Sequence, residues 1–176
     1  MHLAPVSRRL ATAAVFNGLG AAALTLTGCK PVADFTGAAP ASTMILLDGK
    51  AFTTEQMKGK VTLVNFWATS CTTCVAEMPE IITTYNKFAA QGFDTVAVAM
   101  SYDPPAFVVN FAQTRKLPFK VAIDNTGAVA KAWGDVKLTP TTYLVNKKAE
   151  IVKRYVGTPD FHAMQALIEK LLAEKA

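Results

Sequence analysis

Histidine is almost missing from this chain, and cysteine is scarce. His2 and His162 are the only histidines, and Cys29, Cys71 and Cys74 the only cysteines. No second cysteine pair accompanies Cys71 and Cys74, and besides His2 the only histidine is His162, far along the chain in the last predicted helix, so the ligand pattern of a four-coordinate zinc site is lacking and no metal is assigned. Charge is also thin: 18% of residues are charged against 51% hydrophobic, which excludes a disordered chain. The formal net charge is +5, and loss of Arg8 and Arg9 with a leader leaves 16 basic against 13 acidic residues. No block of five or six basic residues occurs, and Lys147-Lys148 reads as a solvated turn between two strands. The electrostatic footprint of nucleic-acid binding is therefore absent, and no nucleic-acid partner is expected. A long apolar run is missing too. Residues 10–26 are apolar and alanine-rich but are interrupted by Asn17, Gly18 and Gly20, which makes them short and weak for a membrane span.

What is present at the N-terminus is an export signal. His2, Arg8 and Arg9 form a basic start, followed by that apolar stretch and then Leu26-Thr27-Gly28-Cys29. The last four residues resemble the bacterial lipoprotein box. The resemblance implies cleavage before Cys29, a diacylglyceryl thioether on its sulfur and acylation of the new amino end. Several acyl chains on one residue hold a protein durably to a membrane surface, at about 0.8 kcal/mol per buried CH2. Residues 1–28 are thus read as a signal peptide and 29–43, with small residues and two prolines, as a flexible tether. An uncleaved anchor and release as a soluble protein are the alternatives.

Residues 44–176 carry the folded domain. Residues 44–47 and 50–52 flank Asp48-Gly49, a hairpin turn pair. Residues 61–66 are an apolar strand, 72–90 a helix containing Pro79, and 93–100 a continuous apolar strand of the parallel-sheet type. A second helix is expected to start at Asp103-Pro104-Pro105 and run to about residue 116, followed by a strand over 119–123 and a short helix ending near Trp133-Gly134. Residues 141–145 and 151–155 form a hairpin across 146–149, and a helix runs over about 160–174. This order predicts an α/β domain with a mixed central sheet and helices on both faces.

The run Val64-Asn65-Phe66-Trp67-Ala68-Thr69-Ser70-Cys71-Thr72-Thr73-Cys74 places two cysteines, two residues apart, where a strand feeds a helix. At a helix N-terminus, unpaired N–H groups and the macrodipole favour the thiolate, the form that attacks disulfides. Trp67 precedes the pair, Pro79 follows it within the helix, and Thr139-Pro140 stands directly before a strand. Together these features resemble the thioredoxin superfamily, and more closely its membrane-tethered TlpA/ResA branch. The resemblance implies a thioredoxin-like fold with an N-terminal β-hairpin and a central strand–helix insertion.

The resemblance also implies roles. Cys71 matches the nucleophile, Cys74 the resolving thiol, and Pro140 a cis-proline whose preceding residue, Thr139, is free to pair with an extended substrate. An ordinary trans proline is the alternative. Where thioredoxin carries a buried aspartate, this chain has Asn65, which cannot take a proton from Cys74. Glu77 lies three residues after Cys74, on the same helix face. The branch has a glutamate at that position, so Glu77 is expected to be partly buried, raised in pKa and a proton relay, against the alternative of a solvated first-turn residue. Trp67 is expected to pack beside the dithiol and contact substrate, against plain core packing.

No cofactor is implied, and a monomer is expected. The leading reading is a reductase on the periplasmic or extracytoplasmic side of a bacterial membrane. Its clients, by resemblance, are apocytochrome c haem-attachment cysteines or copper-site cysteines, and its electron donor a membrane protein of the DsbD/CcdA type. The same residues run backwards give a DsbA-like oxidant. Thr72-Thr73 replaces the usual intervening pair and leaves the direction open. A Cu(I) chaperone is a non-catalytic alternative, although Cys-x-x-x-Cys with a nearby histidine is absent. A peroxiredoxin pattern fails on Cys71, because Val64 and Ala68 stand where it needs proline and threonine.

Overall fold

The computed structural model describes residues 1–2 and 35–175. The expected signal-peptide boundary at residue 28, the expected lipid anchor at Cys29 and the first part of the expected tether lie outside the described residues. The described domain runs from Phe35 on.

The chain order is β1 (Gly37–Ala38), β2 (Thr43–Ile45), β3 (Ala51–Thr53), β4 (Val61–Trp67), α1 (Thr72–Phe88), β5 (Phe93–Ala99), α2 (Pro105–Thr114), β6 (Lys120–Ile123), α3 (Ala128–Ala132), β7 (Thr141–Val145), β8 (Glu150–Val156) and α4 (Phe161–Ala173). Six strands form one sheet in the order β1-β8-β7-β4-β5-β6. The β4, β5 and β6 strands are parallel, while β7, β8 and β1 continue antiparallel to their neighbours. Between β5 and β7 the chain carries α2, β6 and α3.

Alternation within β4 explains the layers. Val64 and Phe66 point into one buried cluster, with Trp133 and Tyr143, covered by the β2–β3 hairpin and α3. Leu63 and Trp67 point into the other, with Met78, Ile81, Phe88, Val108, Met164 and Ile168 from α1, α2 and α4. A strand buried on both faces reads as continuously apolar, which is why β4 and β5 were legible as parallel strands. The hairpin forms as expected, with Met44 opposite Phe52 and Gly49 in the left-handed region at φ +79°. Beyond it, Leu46 bridges Ala122 and the Leu47 N–H donates to Val121 O at 3.0 Å, so the hairpin leans on β6.

The expected tether is corrected at its end. Residues 35–43 belong to the domain: Gly37 pairs with Ile151 and Ala38 with Glu150, and the Ala39 N–H donates to Ala149 O at 2.9 Å. Phe35 packs edge-on against Tyr143 at 6.2 Å, and the Arg154 guanidinium lies 4.7 Å from its ring centre. Small residues and prolines gave this stretch no periodicity, because β8 and Tyr143 supply the partners. The seat for Phe35 is Gly134, at φ +92°, where an added Cβ would lie 2.0 Å from the ring. Gly134→Ala is expected to cost about 1–3 kcal/mol, from both the backbone region and the clash. Urea unfolding of the oxidised protein measures it, and an unchanged midpoint would mean that Phe35 is not seated there.

Candidate active site

The site forms where β4 ends. Its last residue, Trp67, is followed by a short loop, and Cys71 is the N-cap of α1, with φ −88° and ψ 102°. Its Sγ accepts from the Cys74 N–H at 3.2 Å, so the sulfur occupies the place a capping oxygen would take. Cys71 and Cys74 are joined by a disulfide, with their Cα atoms 5.2 Å apart. The two sulfurs differ in access. Cys71 is half-buried and Cys74 has no exposed surface, so Cys71 is the more open member of the pair. Across from it, Thr139 O lies 3.5 Å from Cys71 Sγ. The Thr139–Pro140 bond is cis, and Pro140 is buried.

Behind the dithiol is a small polar network inside the sheet. Glu77 is 3% exposed. Asn65 Nδ2 donates to Glu77 Oε1 at 3.1 Å and to Thr142 Oγ1 at 2.9 Å. Asn65 and Thr142 are register partners across β4 and β7, which fixes their contact. Burial pushes the Glu77 carboxyl up to about 7, and the Asn65 amide, with the nearby Thr158 side chain, only partly offsets this. Asn65 thus orients the Glu77 carboxyl, which α1 carries three residues beyond Cys74. Thr142 and Thr158 were not singled out from the sequence: nothing near either residue signals a tie to α1, and only sheet pairing brings Thr142 there.

Trp67 is where the structure departs from expectation. Its side chain is fully buried, 5.0 Å from the Phe111 ring, in the cluster that also holds Cys74 and Met78. It packs beneath the dithiol and offers no surface to a substrate. The cause is strand alternation: Trp67 shares the inward face of Leu63, and α2 closes over it. Lys137 lies at the surface, paired with Asp135 at 3.0 Å.

This fold and this sulfur pair define the thioredoxin-like thiol–disulfide oxidoreductases. The Redoxin family profile matches residues 34–169. The thiol-disulfide oxidoreductase ResA of Bacillus thuringiensis subsp. konkukian is 31% identical over 125 residues, 71% of this chain and 71% of that protein. ResA of Bacillus subtilis strain 168 is 36% identical over 111 residues, 63% of this chain and 61% of that protein. Among solved structures, a Neisseria meningitidis protein assigned as a thioredoxin superposes with a TM-score of 0.72 at 41% identity, covering 77% of this chain and 90% of that one. StoA from Bacillus subtilis, at 24% identity and a TM-score of 0.62, shares the fold over 73% of this chain and 96% of its own. The chain belongs to the Redoxin family, as a TlpA/ResA-like member of the thioredoxin superfamily, and it is a disulfide oxidoreductase.

Proposed function

We propose that the protein is an extracytoplasmic reductase of client disulfides, held to a bacterial membrane by lipid on Cys29. The observation that carries the reading is the buried Glu77, with a carboxyl near pH 7, on the helix face of Cys74. The Cys71 thiolate attacks the client disulfide, one client sulfur leaves as a thiol, and a mixed disulfide forms. Glu77 takes the Cys74 proton. The Cys74 thiolate attacks Cys71 Sγ, the second client thiol leaves, and the Cys71–Cys74 bond closes with two electrons passed to the client. A membrane donor of the DsbD/CcdA type returns the two electrons.

Client docking is supported by what surrounds Cys71. Leu138 and Val156 expose 66% and 54% of their surface and flank the Thr139–Pro140 loop, while Phe107 shares a cleft with Thr69. Apolar groups of this kind suit an unfolded client segment pairing with the Thr139 backbone. Apocytochrome c haem-attachment cysteines and copper-site cysteines are such segments. The export signal and lipoprotein box support the location.

The test is the Cys71–Cys74 reduction potential, measured in defined thiol–disulfide buffers. A value well below about −180 mV is expected, and one near about −120 mV, as DsbA shows, would make the protein an oxidant.

A further inference from the structure

Two adjacent residues on the β5–α2 loop reach in opposite directions. Asp103 is 2% exposed, and both its oxygens are occupied by one residue: Oδ2 accepts from the Thr69 N–H at 2.6 Å and Oδ1 from the Thr69 hydroxyl at 2.5 Å. Tyr102 has an exposed ring, and its hydroxyl lies 3.2 Å from Thr139 Oγ1. Thr69 stands two residues before Cys71, and Thr139 directly before Pro140. The loop is itself fixed at its base, where the Met100 N–H donates to Trp67 O at 3.0 Å and the Asp103 N–H to Met100 O at 2.9 Å. The two segments that flank Cys71 are far apart in sequence, and residues 102–103 tie one to the other.

A buried carboxylate is expensive to keep unless it is fully hydrogen-bonded, and an apolar residue would fill the same space at less cost. Charge-assisted hydrogen bonds are roughly twice as strong as neutral ones. Here that strength is spent on a single threonine in the loop that delivers the dithiol. We propose that Tyr102 and Asp103 are two arms of a brace that sets the spacing between the pre-dithiol loop and the Thr139–Pro140 loop, and so positions Cys71 against a disulfide carried by an extended client segment. This rests on the reading that clients dock along Thr139, and holds for either direction of electron flow. Neither residue touches a reacting sulfur, so both are positioning residues. A small disulfide needs Cys71 alone, whereas a peptide disulfide needs Cys71 and the Thr139 backbone in register. Misplacement by about 1 Å is enough to cost about a hundredfold in such reactions.

The experiment compares the pre-reduced full chain with Tyr102→Phe, Asp103→Asn and the double variant. Each reduces DTNB and, separately, a ten-residue peptide closed by a disulfide, and urea midpoints are recorded. For the peptide, a loss of about 3- to 10-fold is expected in Tyr102→Phe and about 10-fold or more in Asp103→Asn, with DTNB rates within twofold of the parent. The double variant is expected to lose less than the product of the single losses, because either cut releases the same spacing. Thr69→Val removes one hydrogen bond from the Asp103 arm, and is expected to lower the peptide-to-DTNB ratio even if Asp103→Asn folds poorly. Parallel losses on both substrates, or no loss on the peptide, would overturn the brace. A parent protein that reduces DTNB but not the peptide would overturn the docking reading along with it.

Discussion

Cys74→Ser is expected to stop turnover while leaving the first half of the reaction intact. Cys71 holds the accessible sulfur, and Cys74 is fully buried behind it. With serine at 74, Cys71 still attacks a client disulfide, but no second thiol releases the product. Insulin reduction should fall by about a thousandfold or more, as for loss of an essential nucleophile. The arrested product should be a covalent complex through Cys71 that migrates as a single band without reductant and separates with it. Cys71→Ser, by contrast, should give neither turnover nor complex. Complexes formed equally through both cysteines would show that the difference in burial does not decide which sulfur meets the client. The same variant expressed in its native host captures the client itself, which mass spectrometry then identifies.

Glu77→Gln is expected to slow the reaction and stabilise the fold. At pH 7 the carboxyl sits near its own midpoint, where an acid–base group works best. Replacing it with an amide of the same shape should reduce exchange by about a hundredfold at neutral pH. The inflection near pH 7 should vanish from the pH profile of Cys74 reactivity, while that of Cys71 keeps its form. The stability effect has the opposite sign. The folded carboxyl holds its proton up to about pH 7, against 4.5 for the ordinary group. Between those values the native state binds more protons than the unfolded one, so stability declines as pH rises through the window. The loss is complete above about pH 7 and amounts to up to about 3 kcal/mol. Glu77→Gln has no such slope, and the oxidised variant should unfold at higher urea than the parent at pH 8 and near the parent value at pH 4.5. A parallel pH dependence in both proteins would mean that Glu77 is not buried as a charge.

The Cys71–Cys74 pairing, the cis bond at Pro140 and the burial of Glu77 were legible because each carries a local signal: a spacing, a proline before a strand, and a helix-face offset from Cys74. Trp67 was legible as a neighbour of the dithiol but not as buried, since a strand packed on both faces gives no sign of which side a substrate approaches. The Phe35 seat and the contacts of Asp103 and Tyr102 were not legible. Their partners lie far away in sequence, and the link exists only once the sheet has set β5 beside β4 and β8 beside β7.

The two outer strands of the sheet bear on the chemistry. A protein whose clients bind as extended chains is itself at risk from its clients and its own copies, because unpaired strand edges recruit any extended chain. Here the two-residue β1 lies along β8, and the Leu46–Leu47 segment lies along β6. Both flanks of the sheet are thus blunted against edge-to-edge association. On the proposed reading, the place left for a client strand is the Thr139 loop, 3.5 Å from the Cys71 sulfur, where pairing would end in exchange and release.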